Sequence, residues 1–448
     1  VGFTYLIALL VAGISLVRPA APLEDGDRID DTCRPIPAIA AAVVLAGSYI
    51  FELWVYEQRQ GVATPIPVFS GTNLSLILDS IFILQTGLLV ALARVIGRPS
   101  RPLVVALSFV AFVMLAFSLN QQNTGGDVVA YVGSTLEANP YDPSHRAFPP
   151  NFASVNREWG LPLIPSTYGP LWNAIAKVAV SPFSTLRGKI LGFQILGALA
   201  LISIVATLVR TKAPPAVVAL VALNPFLWET YVAEGHNDLL AAAFVIVAAR
   251  STRTRSIVIL VVAAAAIKVS FALTGLTTLA RIERLRDRVS GFLLIGALAT
   301  LAIAVVGPQY PRSVIRVLNL YAHPIPFGDV ALRCLTEIAV GCFALVAIIW
   351  GRVSWGTGWI TIAIGQFPLT NYLCWGLPTA LVGRGATAFL AALPYAAFEA
   401  NNILVETPLT ATVRTLVAAV LASILFFSLR RGRSPIGFTE SRLRARGI

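Results

Sequence analysis

Charge is what this sequence has least of. Only 12% of its 448 residues are Asp, Glu, Lys or Arg, about half the share found in a soluble domain. By contrast 56% are hydrophobic, and the mean hydropathy is +0.77. This shortage excludes an ordinary water-soluble fold and points to a polytopic membrane protein. Lysine occurs only at positions 177, 189, 212 and 268, and histidine only at 145, 236 and 323. Cys33, Cys334, Cys342 and Cys374 form no CxxC pair and have no histidine at ligand spacing, which argues against a zinc site or a disulfide framework. No GxSxG, Walker or Rossmann pattern stands in a convincing context.

What the chain has in abundance is apolar runs. They recur at 2–17, 37–56, 73–96, 103–119, 190–209, 214–230, 237–249, 256–280, 289–307, 332–350, 354–383, 386–400 and 412–429. A spanning helix needs roughly 20 apolar residues, so several runs are short or broken, and the expected fold is all-α with about 13 to 15 crossings. Val1 to Val17 lacks a basic leader and a small-residue cleavage site, and reads as a retained helix.

The net charge of +12 sits in short connections and in the tail RRGRSPIGFTESRLRARGI. That distribution suits the positive-inside rule better than nucleic-acid binding. Arg94, Arg98, Arg101 and the basic tail are therefore placed in the cytoplasm, and helix 103–119 carries the acidic stretch after it to the opposite side. Arginines at 250, 253 and 255 precede the run 256–280, and others at 281, 284, 286 and 288 follow it. One crossing cannot put both flanks inside, so this run is expected to break near Lys268. The stretch YGPLWNAIAKVAVSPF, 168–183, is expected to lie along the membrane surface. QFPLTNYLCW is expected to interrupt the run 354–383.

With that topology the chemically capable residues gather on the extracytoplasmic face. Asp127 follows two glycines and precedes VVAYVGSTL, which puts Tyr131 one helical turn away on the same face; an Asp here also suits a helix cap. EGHND supplies Glu234, His236, Asn237 and Asp238, with no second histidine near enough to make a metal site, and Asp238 also suits a cap. Ionisable groups beside membrane helices point by default to function. Lys268, inside an apolar run, must be paired or stay wet, and it suits a phosphate as a point charge unless it snorkels to the interface. Arg312, Arg316 and His323 lie on a later outer loop, and guanidinium groups recognise phosphate bidentately. Tyr168 and Trp172 in STYGPLW fit an aromatic belt. Glu52, Asp79, Glu337 and Glu399 lie within or at the ends of helices and read as packing groups.

Five stretches, taken in order, resemble the GT-C superfamily of membrane glycosyltransferases, and within it the bacterial polyprenyl-phosphate-mannose-dependent mannosyltransferases. They are GGDVVAYVGSTLEANPY, STYGPLW, LNPFLWETYVAEGHNDLL, IKVS and FPLTNYLCWGLP. The family commonly carries a Trp-Tyr pair where this chain has Asn371 and Tyr372, and three further helices precede the simplest GT-C plan. The resemblance implies additional N-terminal helices over 1–102, a catalytic module over 103–383 with outer loops 120–189 and 308–331, and C-terminal helices with a cytoplasmic tail over 384–448.

The resemblance also implies inverting transfer of a hexose, mannose first, from a polyprenyl-phosphate donor to a glycan, glycolipid or protein hydroxyl, with no cofactor and no metal. Asp127 would be the general base. Lys268, Arg312, Arg316 and His323 would meet the donor phosphate, while Tyr131, Tyr168, His236, Asn237, Asp238 and Tyr372 would line the sugar or acceptor pocket. A GT-C enzyme using arabinose or glucose is the nearest alternative. A transporter or flippase is the more distant one, disfavoured because no internal repeat is evident and the polar motifs cluster on one face.

Overall fold

The computed structural model describes residues 33–59, 71–121, 126–144, 148–155, 163, 165–271, 274–275, 278, 282, 285–313, 370–382 and 386–402. Arg316 and His323, and the expected helices over 2–17, 332–350 and 412–429, lie outside the described residues. Among the described residues there are helices and no strand, as an all-α membrane protein requires. In chain order the helices are α1 Pro35–Arg59, α2 Gly71–Val95, α3 Arg101–Asn120, α4 Gly126–Leu136, α5 Pro170–Val180, α6 Leu186–Arg210, α7 Pro215–Ala222, α8 Asp238–Ala249, α9 Thr254–Ile267, α10 Leu285–Val306, α11 Leu377–Val382 and α12 Ala386–Asn402. Of these, α1, α2, α3 and α6 are long and apolar enough to cross a membrane.

Helix α3 shows how composition sets the packing. Leu103, Val110, Met114 and Ser118 are buried along one stripe, whereas Val105, Phe109, Phe112 and Phe117 are exposed on the other side. Such an apolar outer face would be unfavourable in water by about 25 cal/mol per Å², but it matches a lipid environment. Its inner stripe meets α1 through a 2.7 Å hydrogen bond between the Tyr49 hydroxyl and Ser118 Oγ.

The run 214–230 does not form one straight helix. α7 ends at Ala222, and the chain continues as a π-helical segment, Leu227–Ala233, bent 48° from it. Asn224 and Pro225 explain the break, because proline lacks an N–H and disfavours helical geometry in the residue before it. The Asn224 side chain donates instead to the Leu390 carbonyl of α12 at 2.9 Å. The π segment lies against α6 so closely that a Cβ on Gly197 would clash with the Tyr231 carbonyl.

The N-terminal helices buttress this same segment. Glu52 of α1 is fully buried, accepts from Gln85 Nε2 of α2 at 2.7 Å, and stands beside Glu229 of the π segment. α5 is 11 residues long, shorter than the roughly 17 needed for a span. α9 stops at Ile267, and Lys268 follows in an extended conformation with φ −147° and ψ 120°. The run is therefore broken at the residue where the flanking arginines place the break.

Candidate active site

Helix α4 begins at Gly126, with Asp127 in its first turn. Asp127 Oδ2 faces His236 Nδ1 at 3.7 Å, and the other imidazole nitrogen, Nε2, faces Glu234 Oε2 at 3.3 Å. His236 is nearly buried, while the Asp127 side chain keeps 30% of its surface open to a substrate. Gly235 makes the short loop between Glu234 and His236 possible. Its φ is +75°, a conformation in which any side chain would be strained.

One turn beyond Asp127, Tyr131 is the hub of an aromatic cluster. Its ring stands edge-on to Tyr168 at 5.0 Å, Trp172 at 5.3 Å, Phe193 at 5.7 Å and His236 at 6.4 Å. Edge-to-face pairs of this kind are favoured by the ring quadrupole and hold the rings in a fixed arrangement.

A second polar group lies on the far side of Tyr168. The Lys268 ammonium is 2.7 Å from Asp238 Oδ1, and the same oxygen accepts from Trp375 Nε1 at 2.7 Å. Asp238 is fully buried at the start of α8. Rings enclose the ammonium: Tyr372 at 4.5 Å, Trp375 at 5.4 Å and Tyr168 at 5.5 Å from their centroids. Tyr372 and Trp375 stack on each other at 4.3 Å within the 3₁₀ turn Thr370–Gly376. Tyr168 thus touches both groups, and Asn237 sits in the chain between His236 and Asp238.

Residues 125–282 match the family described as alpha-(1->6)-mannopyranosyltransferase, N-terminal domain. No curated protein and no solved structure matches the chain. This MptA_B family is one of GT-C mannosyltransferases, so the resemblance is borne out over the matched span. The mannosyltransferase match holds Asp127, Tyr131, Tyr168, His236, Asn237, Asp238 and Lys268, and it supports a membrane mannosyltransferase. Tyr372, Trp375 and Arg312 lie beyond it.

Arg312 is exposed on the helical turn 309–313, which docks on the Asn-Pro-Tyr turn. Asn139 Nδ2 donates to Gln309 Oε1 at 2.7 Å, Tyr141 meets Tyr310 at 5.2 Å, and Ser313 Oγ donates to the Ser166 carbonyl at 2.7 Å. Two residues of the candidate site have no place among the sequence candidates, Trp375 as partner of Asp238 and Phe193 against Tyr131, while Glu234, read only as part of EGHND, is now seen as the partner of His236. Glu234 and Trp375 stand inside two of the quoted stretches, EGHND and FPLTNYLCWGLP. Phe193 lies in an ordinary apolar run and carries no local signal.

Burial alone would lower the pKa of His236. The hydrogen bond and charge of Glu234, with Asp127 and Asp238 beyond, outweigh it and hold the imidazole above its ordinary value of 6.5. A group whose folded-state pKa is raised gives stability that is complete below the unfolded value and fades as pH rises through the folded one. The thermal midpoint should therefore fall as pH is raised from 6.5 through that higher value. His236→Gln should flatten this part of a melting-temperature profile, and an unchanged slope would remove His236 as its source.

Gly169 ties Tyr168 to the broken helix. Its N–H donates to the Ile267 carbonyl at 2.9 Å, and a Cβ there would clash with the Ala266 carbonyl. Gly169→Ala should destabilise by about 1–3 kcal/mol, the usual scale of overpacking, readable by thermal melting of the purified protein.

Proposed function

We propose that this chain transfers mannose from a polyprenyl-phosphate donor to an acceptor hydroxyl, with inversion at the anomeric carbon and Asp127 as general base. One observation carries the reading. A carboxylate open to substrate stands at the edge of a buried polar and aromatic cluster, within the span that matches a mannosyltransferase family. In the step, the acceptor oxygen bonds to the sugar C1 as the C1–O bond to the lipid phosphate breaks. The acceptor proton passes to Asp127, and polyprenyl phosphate leaves with the bonding pair. Asp127 must then lie roughly 2.6–3.2 Å from the acceptor oxygen in the reactive complex.

Positive charge meets the departing phosphate, the preorganised stabilisation on which such transfers depend. Lys268 and Arg312 are the described residues assigned to it, with Arg316 and His323 from the same outer loop. Asp238 and the three rings fix the Lys268 ammonium in place, so it acts from a set position. Tyr131, Tyr168, His236, Asn237, Asp238 and Tyr372 shape the sugar and acceptor pocket. The distribution of arginines supports an extracytoplasmic site and a cytoplasmic C-terminus.

The test is direct. Purified protein incubated with radiolabelled polyprenyl-phosphate mannose and an alkyl mannoside should release labelled dimannoside of inverted configuration. A nucleotide-linked mannose should not replace the donor; transfer from the nucleotide sugar alone would overturn the proposal.

A further inference from the structure

We propose that Gln194 is a positioning residue for the transfer reaction, holding the chain that leads to Asp127 and the chain that leads to His236 at a fixed separation. The inference rests on the reading of Asp127 as the base. Gln194 is fully buried on α6, in the middle of an apolar stretch where an unpaired amide would be costly. Its Nε2 reaches two other elements, and its Oε1 is held by an arginine of its own helix. Its Nε2 donates to the Gln121 carbonyl at 3.1 Å and to the Ala233 carbonyl at 2.7 Å. Its Oε1 accepts from Arg187 at 2.8 Å, and the other terminal nitrogen of Arg187 donates to the Leu119 carbonyl at 2.6 Å.

These partners are not scattered. Leu119 and Gln121 close α3, six residues before Asp127 in the case of Gln121, and Ala233 closes the π segment three residues before His236. One amide therefore bridges the two backbones that deliver the carboxylate and the imidazole. Its neighbour Phe193 completes the brace, touching the Tyr131 ring at 5.7 Å and leaving only 3.2 Å for a Cβ on Gly235. The Asp127 to His236 separation is 3.7 Å, so a small shift of either backbone changes where the carboxylate stands relative to the imidazole and to an acceptor.

Two substitutions test the role. Gln194→Glu keeps the shape and the Arg187 contact but turns a carboxylate oxygen toward two carbonyls. Gln194→Met removes every hydrogen bond at similar length. Purified full chains would be assayed with polyprenyl-phosphate mannose and an alkyl mannoside, and their folding checked by thermal melting. Each folded variant should lose about 10- to 100-fold in kcat, the scale of a misplacement of about 1 Å. The donor KM should stay within about twofold, so that the loss falls on kcat and not on donor binding. A folded variant with wild-type kcat overturns the proposal, as does a loss confined to KM. Asp127→Asn, measured alongside, separates the two readings. If it still transfers, the base assignment fails; if it is inactive while both Gln194 variants turn over normally, only the positioning role falls.

Discussion

Asp127→Asn should reduce mannose transfer by about 10²- to 10⁴-fold, the contribution expected of a positioned general base, while leaving the protein folded. The two halves of this expectation come from different observations. Loss of rate follows because an amide oxygen in place of the carboxylate cannot take up the acceptor proton. Retained folding follows because Asp127 is partly exposed and its contact with His236 is 3.7 Å long, and the loss of one such ion pair costs at most about 1 kcal/mol. Asp127→Glu should be damaging too, since the longer side chain displaces the reacting oxygen and proximity is steep in distance. Initial rates with labelled donor, set beside a thermal melt of the same preparation, decide the matter. A folded Asp127→Asn protein retaining more than a tenth of the parent rate would take the base role away from this residue.

Lys268→Met is expected to act in the opposite way, first on stability. Asp238 is fully buried, and its bonded oxygen has two partners: the Lys268 ammonium and the Trp375 indole N–H. Deleting the ammonium strands a carboxylate with one neutral donor, and breaking a buried pair from one side costs about 3–5 kcal/mol. Lys268→Met combined with Asp238→Asn should recover more than half of that loss, because the stranded charge is gone and Trp375 can still donate to the amide oxygen. Denaturant or thermal unfolding of the two variants, compared with Asp238→Asn alone, forms a cycle that isolates the pair. Additive losses across the cycle would sink the claim that Lys268 and Asp238 stabilise each other. Transfer should fall in both variants, since neither leaves a cation for the phosphate at that place.

Much of the site was legible because its parts announce themselves locally. Asp127 and Tyr131 are four residues apart on a helix that two glycines start, so their shared face follows from helical geometry. The break at Lys268 was legible for a different reason. Arginines on both flanks of one apolar run cannot be reconciled with a single crossing, and the helix indeed stops at Ile267. The break in the run 214–230 leaves no mark in its hydropathy, although Asn224-Pro225 lies inside it. Hydropathy averages over a window and does not register one missing N–H.

By itself the sequence determined the class of the protein, the break beside Lys268 and the stretches that resemble a mannosyltransferase family. All of these depend on the polarity, φ freedom and hydrogen-bonding capacity of neighbours along the chain. Only the tertiary structure decided which charge meets which. Lys268 finds Asp238 across 30 residues, Trp375 reaches the same oxygen across 137, and Gln194 ties Gln121 to Ala233 from opposite directions. A buried polar group must find a partner, but the physics that demands one does not say where in the chain it lies. That choice is made when helices dock, because docking sets both the distance between the groups and the exclusion of water that makes the pairing matter.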